Sequence, residues 1–147
     1  MIQSESSLEI AQPSADVFSS INDLSKAPDW LESCVQLTQT SSGPISQGTT
    51  LRYVYNQDGD SREMKGLVSK YEKGKRLAFT FEDSQFQLTI EMEVSRTSKG
   101  TMVKQAIEIN PKGSLVPAMS KMIAEGNKQQ IQRNLSRLKR LLESHES

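Results

Sequence analysis

The feature that most constrains this chain is the segment from Ser114 to about Ser144. There Leu115, Met119, Met122, Ile123, Ile131, Leu135, Leu138 and Leu142 recur at steps of three and four, with a gap around Gly126 and Asn127. That spacing predicts one amphipathic helix of roughly 45 Å. A helix with a single apolar stripe must bury it against another layer of structure. The residues that precede it can supply that layer only if they form a sheet.

They carry the period of a sheet. Leu31, Val35 and Leu37 share one parity, as do Leu51, Tyr53 and Tyr55, and again Leu77, Phe79 and Phe81. Such alternation marks half-buried strands. Phe86, Leu88, Ile90, Met92 and Val94 alternate most clearly, and Val103, Gln105, Ile107 and Ile109 extend the inward face onto the next strand. Between the runs stand the turn signals SSGPISQG, NQDGD, EKGK and TSKG, whose glycines at 59, 74 and 100 suit tight hairpins. Connections this short predict an antiparallel meander, and with a first strand over Ile2 to Ile10 the sheet has seven strands.

Between the first two strands Pro13 opens a helix without losing a needed N–H. Val17, Phe18, Ile21 and Leu24 give that helix one apolar face. Pro28 is expected to stop a short helical turn over Leu24 to Ala27 and hand the chain over at Trp30, the sole tryptophan.

The totals remove several classes of function. At 147 residues the chain is expected to be one domain spanning 1–147, with a frayed tail over about 144–147. Basic and acidic residues balance at 18 each, so nothing global points to nucleic acid or to an anionic membrane. The single cysteine, Cys34, can form neither an internal disulfide nor a cysteine-rich zinc site, which suits a cytoplasmic location. No signal-like or membrane-spanning apolar run is present in the sequence.

The order of elements, together with IAQPSADVFSSINDLSKAPDW, resembles the START-like superfamily of SRPBCC type, which includes polyketide cyclase/dehydratase relatives and lipid transfer domains. The matching pieces are Pro13 three residues past Ile10, Val17 and Phe18, the Asp23 region, and Pro28 with Trp30, and the resemblance runs from about Leu8 to Leu142. It implies an α+β helix-grip fold: a bent seven-stranded antiparallel sheet wrapped around the long C-terminal helix, with two short helices between strands 1 and 2. A cavity between sheet and helix is part of that expectation. Activity is not, because one fold hosts unrelated functions.

The chemistry therefore rests on individual residues. The lone histidine, His145, stands next to the terminus, which argues against a His-based triad or a histidine metal site. NQDGD has its glycine too early for a calcium-binding loop, and GPISQGTT has Thr49 where a phosphate loop needs lysine. No catalytic residue, metal site or cofactor is nominated. Trp30 is placed at the cavity lip or as a cap on the core. Tyr53, Tyr55, Phe79 and Phe81 are expected inside, where a phenolic hydroxyl must find a hydrogen bond or a ligand atom. Gln105 on the inward face suggests a wet or ligand-filled interior. Gly126, read as inward on the long helix, would leave room for a ligand or a strand. Met64, Met92, Met119 and Met122 would give the lining a soft, adaptable character.

These residues make up a candidate site for a small apolar or amphipathic molecule, bound without covalent chemistry, in a monomer or weak homodimer with no nucleic-acid partner and no stable membrane insertion. Two rivals stand beside it. An enzyme resembling polyketide cyclases or dehydratases would draw on Tyr53, Tyr55 or an acid such as Asp23 or Glu91. A protein-interaction module would use the basic helix end, where Lys112 to Ser147 holds seven basic against three acidic residues, among them Arg133, Arg137 and Arg140. Cations near a helix C-terminus also complement its dipole, which explains that cluster without a partner.

Overall fold

A computed structural model describes residues 1–144. The expectations for His145 and for the last residues of the tail lie outside that range. Ser144 itself closes the last helical turn, its N–H donating to the Arg140 carbonyl at 3.0 Å.

The chain runs β1 (Ile2–Ile10), α1 (Ser14–Asn22), a 3-10 turn (Leu24–Lys26), α2 (Ala27–Trp30), β2 (Cys34–Gln39), β3 (Thr50–Gln57), β4 (Asp60–Glu72), β5 (Arg76–Glu82), β6 (Phe86–Thr97), β7 (Gly100–Pro111) and α3 (Pro117–Glu143). All strands join one antiparallel sheet in the order β1-β7-β6-β5-β4-β3-β2. The strands from β2 to β7 form the expected meander, and β1 adds to β7, so the first two strands in sequence occupy opposite edges. The α1–α2 segment bridges those edges. With α3 it completes the helix-grip fold.

Local chemistry explains the turns. Asp58 at φ 52 and Gly59 at φ 85 make the two-residue link between β3 and β4, a conformation that Asp-Gly adopts at little cost. Pro28 behaves differently from expectation. It sits in the first turn of α2, where its missing N–H costs nothing, so it starts a helical turn that continues through Trp30. The β2 pattern also needs correction. Its register shifts between Cys34 and Gln36, so Cys34 and Leu37 are buried while Val35 is 45 % exposed. A bulge of this kind breaks the strict parity read from Leu31, Val35 and Leu37.

The core lies between the concave face of the sheet and the helices. Val17, Phe18 and Ile21 of α1 are buried, and α1 packs mainly on β6. The helix α3 lies over β1 and β7 and against α2. Its 27 residues span about 40 Å at 1.5 Å each, slightly less than the expected 45 Å because Val116, in extended conformation, precedes Pro117 at the true start. Its four buried residues, Ile131, Asn134, Leu135 and Leu138, all fall in the C-terminal half. Among the described residues no helix is long and apolar enough to cross a membrane.

Candidate functional site

The consequence of that uneven burial is a cavity of about 240 Å³ under the N-terminal half of α3. Its floor comes from the inward faces of the sheet: Tyr53 and Tyr55 on β3, Met64 on β4, Phe86, Leu88 and Ile90 on β6, and Ile107 and Ile109 on β7. Asn127 and Gln130 of α3 form the roof, and Leu31, Ser33, Asn56 and Gln57 close one end. Larger hollows, such as one of about 570 Å³ beside β2 and the 3-10 turn, are surface grooves rather than spaces between sheet and helix.

The aromatic wall is a stack. Phe81 and Tyr53 have ring centroids 4.8 Å apart at 27°, and Tyr53 and Tyr55 lie 5.2 Å apart at 20°. Gly66 on β4 stands directly opposite Phe81 and leaves the space its ring occupies, since a Cβ there would collide with the Phe81 side chain and the Thr80 carbonyl. Burial pushes the Tyr53 hydroxyl well above the ordinary phenol value, with Cys34 and Tyr55 acting in the same direction. Tyr55 is raised too, mainly by burial, with Asp83 adding to the shift and Arg62 opposing it. Both phenols are therefore neutral at neutral pH, able to donate a hydrogen bond and unable to serve as a ready base. Cys34, paired with Tyr55 across β2 and β3, is buried and its thiol is pushed up to about 12 by desolvation.

One end of the cavity is held by a polar clasp. The Glu32 N–H donates to Asn134 Oδ1 at 2.8 Å, and Gln130 Nε2 donates to the Glu32 carbonyl at 3.3 Å. Arg133 grips the Glu32 carboxylate with Nε and Nη2 at 2.6 and 2.8 Å, and this hydrogen bonding holds the Glu32 pKa below its usual range. Asn134 continues the chain inward, donating to Gln105 Oε1 at 2.9 Å, and Gln105 Nε2 donates to Met92 Sδ at 3.0 Å.

The nominated residues thus divide. Tyr53, Tyr55 and Met64 line the cavity. Phe81 supports it through the stack, whereas Phe79, Met92 and Trp30 are buried in core that does not reach it. Trp30 is 1 % exposed with its Nε1 unpartnered, which makes it a cap on the core rather than a lip. Gln105 is satisfied by Met92 and Asn134, so its inward polarity belongs to a closed protein network and not to a wet interior. The expectation that Met119 and Met122 face inward is corrected: they are 49 % and 71 % exposed, because they stand on the solvent side of α3 while Ile123 and Ala124 take the partly buried side. Gly126 also points outward, with nothing within 4 Å of where its Cβ would be, and so makes room for neither ligand nor strand.

Asn127 and Gln130 are site residues that the sequence reading misses. The signal for Asn127 is the gap in the apolar stripe, since a polar residue at the i+4 step between Ile123 and Ile131 marks a place where the facing surface is not closed apolar packing. The candidate acids lie elsewhere. Asp23 accepts from the Ser25 N–H and hydroxyl at 3.1 and 2.6 Å, and Glu91 and Glu93 pair outward with Lys70 and Arg76 at 3.2 and 2.9 Å. Among the described residues no group of three or more His, Cys, Asp or Glu side chains is placed to hold a metal ion.

The fold and cavity define a helix-grip protein with a space between sheet and C-terminal helix. The chain matches the family described as polyketide cyclase / dehydrase and lipid transport over residues 1–143, and it belongs to that family. Solved structures of similar fold include the Zhui aromatase/cyclase from Streptomyces sp. R1128, at 11 % identity and a TM-score of 0.79, with 97 % of this chain and 94 % of that one covered. The di-domain ARO/CYC StfQ from the steffimycin biosynthetic pathway aligns at 13 % identity and a TM-score of 0.79, covering 98 % of this chain and 52 % of that one. TTHA0849 from Thermus thermophilus aligns at 14 % identity and a TM-score of 0.77 over 99 % of both chains. At such identities the likeness is one of fold. No curated protein matches the chain by sequence.

Proposed function

We propose that this chain, as a single cytoplasmic domain, binds a small apolar or amphipathic molecule in the cavity beneath the N-terminal half of α3 and performs no covalent chemistry on it. The observation that carries this reading is the cavity wall: aromatic and aliphatic side chains form the floor, with a few polar groups at the roof and one end. That is the composition expected of a small-molecule site. Its volume of about 240 Å³ is below the ~300–1,000 Å³ usual for drug-sized ligands, so the occupant is small. Native mass spectrometry of freshly purified protein, before and after denaturation, tests the reading. A bound mass released on denaturation supports it. A bare chain that also fails to take up any member of a panel of small aromatic and aliphatic compounds contradicts it.

A cyclase reading draws on one specific observation, the pair of neutral tyrosines stacked at the cavity. Tyr53 would then be a proton donor to a carbonyl oxygen of a poly-carbonyl chain. Under that reading Tyr53→Phe abolishes cyclisation while leaving substrate binding in place. If cyclisation survives Tyr53→Phe and Tyr55→Phe, these phenols are not its acid.

A further inference from the structure

Resting on the binding reading above, a finer statement about the ligand follows from Asn127. Its side chain lines the cavity roof, and its Nδ2 is buried without a hydrogen-bond partner among the described residues. The neighbouring roof amide, Gln130, is different, because its Nε2 is already committed to the Glu32 carbonyl. A buried donor left unpaired is costly, and few persist in folded proteins without a function or an unseen partner. Asn127 also breaks the apolar stripe of α3, four residues from Ile123 and four from Ile131. The cavity wall holds no Lys, Arg, His, Asp or Glu among the described residues, so an ionised ligand would be taken from water without a counter-charge.

We propose that Asn127 is the specificity-determining residue of the cavity: its amide donates to an acceptor oxygen on an uncharged, ring-sized ligand that lies against the Tyr53–Tyr55 wall. The site then prefers a neutral carbonyl compound to the hydrocarbon of the same shape, and to the carboxylate of similar size.

Three probes of nearly one shape test this by calorimetry at neutral pH: 2-acetylnaphthalene, its hydrocarbon isostere 2-isopropenylnaphthalene, and 2-naphthoate. Wild-type protein is expected to bind the ketone about tenfold more tightly than the hydrocarbon, the size of a satisfied buried donor. The carboxylate is expected to bind at least about tenfold more weakly than the ketone, as a charge buried without a partner. In Asn127→Leu, checked for folding by circular dichroism, the ketone preference falls to within about twofold while the hydrocarbon binds as well or better. In Met122→Ser, a change on the exposed side of the same helix and outside the cavity, the preference persists. Equal binding of ketone and hydrocarbon by the wild type leaves the binding reading standing and overturns the role of Asn127. So does a preference that survives Asn127→Leu or collapses in Met122→Ser. Naphthoate binding as tightly as the ketone overturns the uncharged class. Failure of all three probes to bind overturns the inference together with the binding reading it rests on.

Discussion

The two halves of α3 face the same sheet, yet only the second is buried against it, while the first touches β1 at Ala124, whose carbonyl accepts from the Ser4 hydroxyl at 2.6 Å. From Ile131 to Leu138 the helix buries Ile131, Asn134, Leu135 and Leu138 to 1 % exposure or less. From Pro117 to Gln130 it buries no residue, leaves Met119 and Met122 in solvent, and roofs a cavity with two amides. The same contrast appears on β7, where Val103 and Gln105 are sealed and Ile109 is half-buried at the cavity. One half is a lock that stabilises the grip and the other is a site left unfilled. Burial of the first stabilises the fold, and the incomplete packing of the second leaves space for another molecule to occupy.

Substitutions can break that division at several levels. The largest effect is expected in the closed half. Leu138→Ala should cost about 2–5 kcal/mol in chemical denaturation, from lost transfer free energy plus a cavity. The folded fraction should still bind ligand as before. Asn134→Leu comes next, at about 1–3 kcal/mol, because it orphans Gln105 Oε1 and the Glu32 N–H together. Adding Gln105→Leu should recover part of that loss, since the double variant removes one of the two orphaned groups.

Gly66→Ala tests whether the two regions can be coupled. Its Cβ cannot coexist with the Thr80 carbonyl or the Phe81 ring where they stand, so the β4–β5 backbone and the ring must both shift, at about 1–3 kcal/mol. Unlike Leu138→Ala, it should weaken ligand binding as well as stability, by disturbing the wall of the site.

Alkali provides a smaller, graded effect at the boundary. The folded pKa of Cys34 is raised above its unfolded value, so this thiol contributes stability that is fully present below about pH 9. That contribution is lost as pH rises from there through about 12, at up to about 1.4 kcal/mol per pH unit. Urea midpoints measured from pH 8 to 11 should therefore fall, and Cys34→Ala should flatten part of the decline, leaving the share contributed by Tyr53. The smallest effect belongs to the open half. Met122→Ser should change stability by no more than about 0.5 kcal/mol, as for an exposed side chain that packs against nothing.

The contrast between the halves explains which parts of the molecule are legible in the sequence. The strands are readable because period two is enforced wherever one face of a sheet is buried, as on β6 from Phe86 to Val94. The wrong parity on β2 traces to a bulge, which no alternation announces. Met119 and Met122 fit a helical stripe in sequence, but periodicity records only which residues share a face. It does not say which edge of that face the sheet covers. Gln105 is visible as a buried polar group, but its partner Asn134 stands 29 residues away on another element. Sequence spacing cannot distinguish a closed amide network from a wet cavity, and Asn127 escapes notice because a break in the stripe reads as a defect in the pattern.

The measurement that bears most directly on the division between lock and site is a methyl NMR titration with 2-acetylnaphthalene. Saturable shifts are predicted at Met64, Ile107 and Ile109, which line the cavity, while Met92, Ile131 and Leu138 stay in place. Shifts centred on Ile131 and Leu138, or no saturable shift at the cavity methyls, would contradict the assignment of the open half of α3 as the binding region.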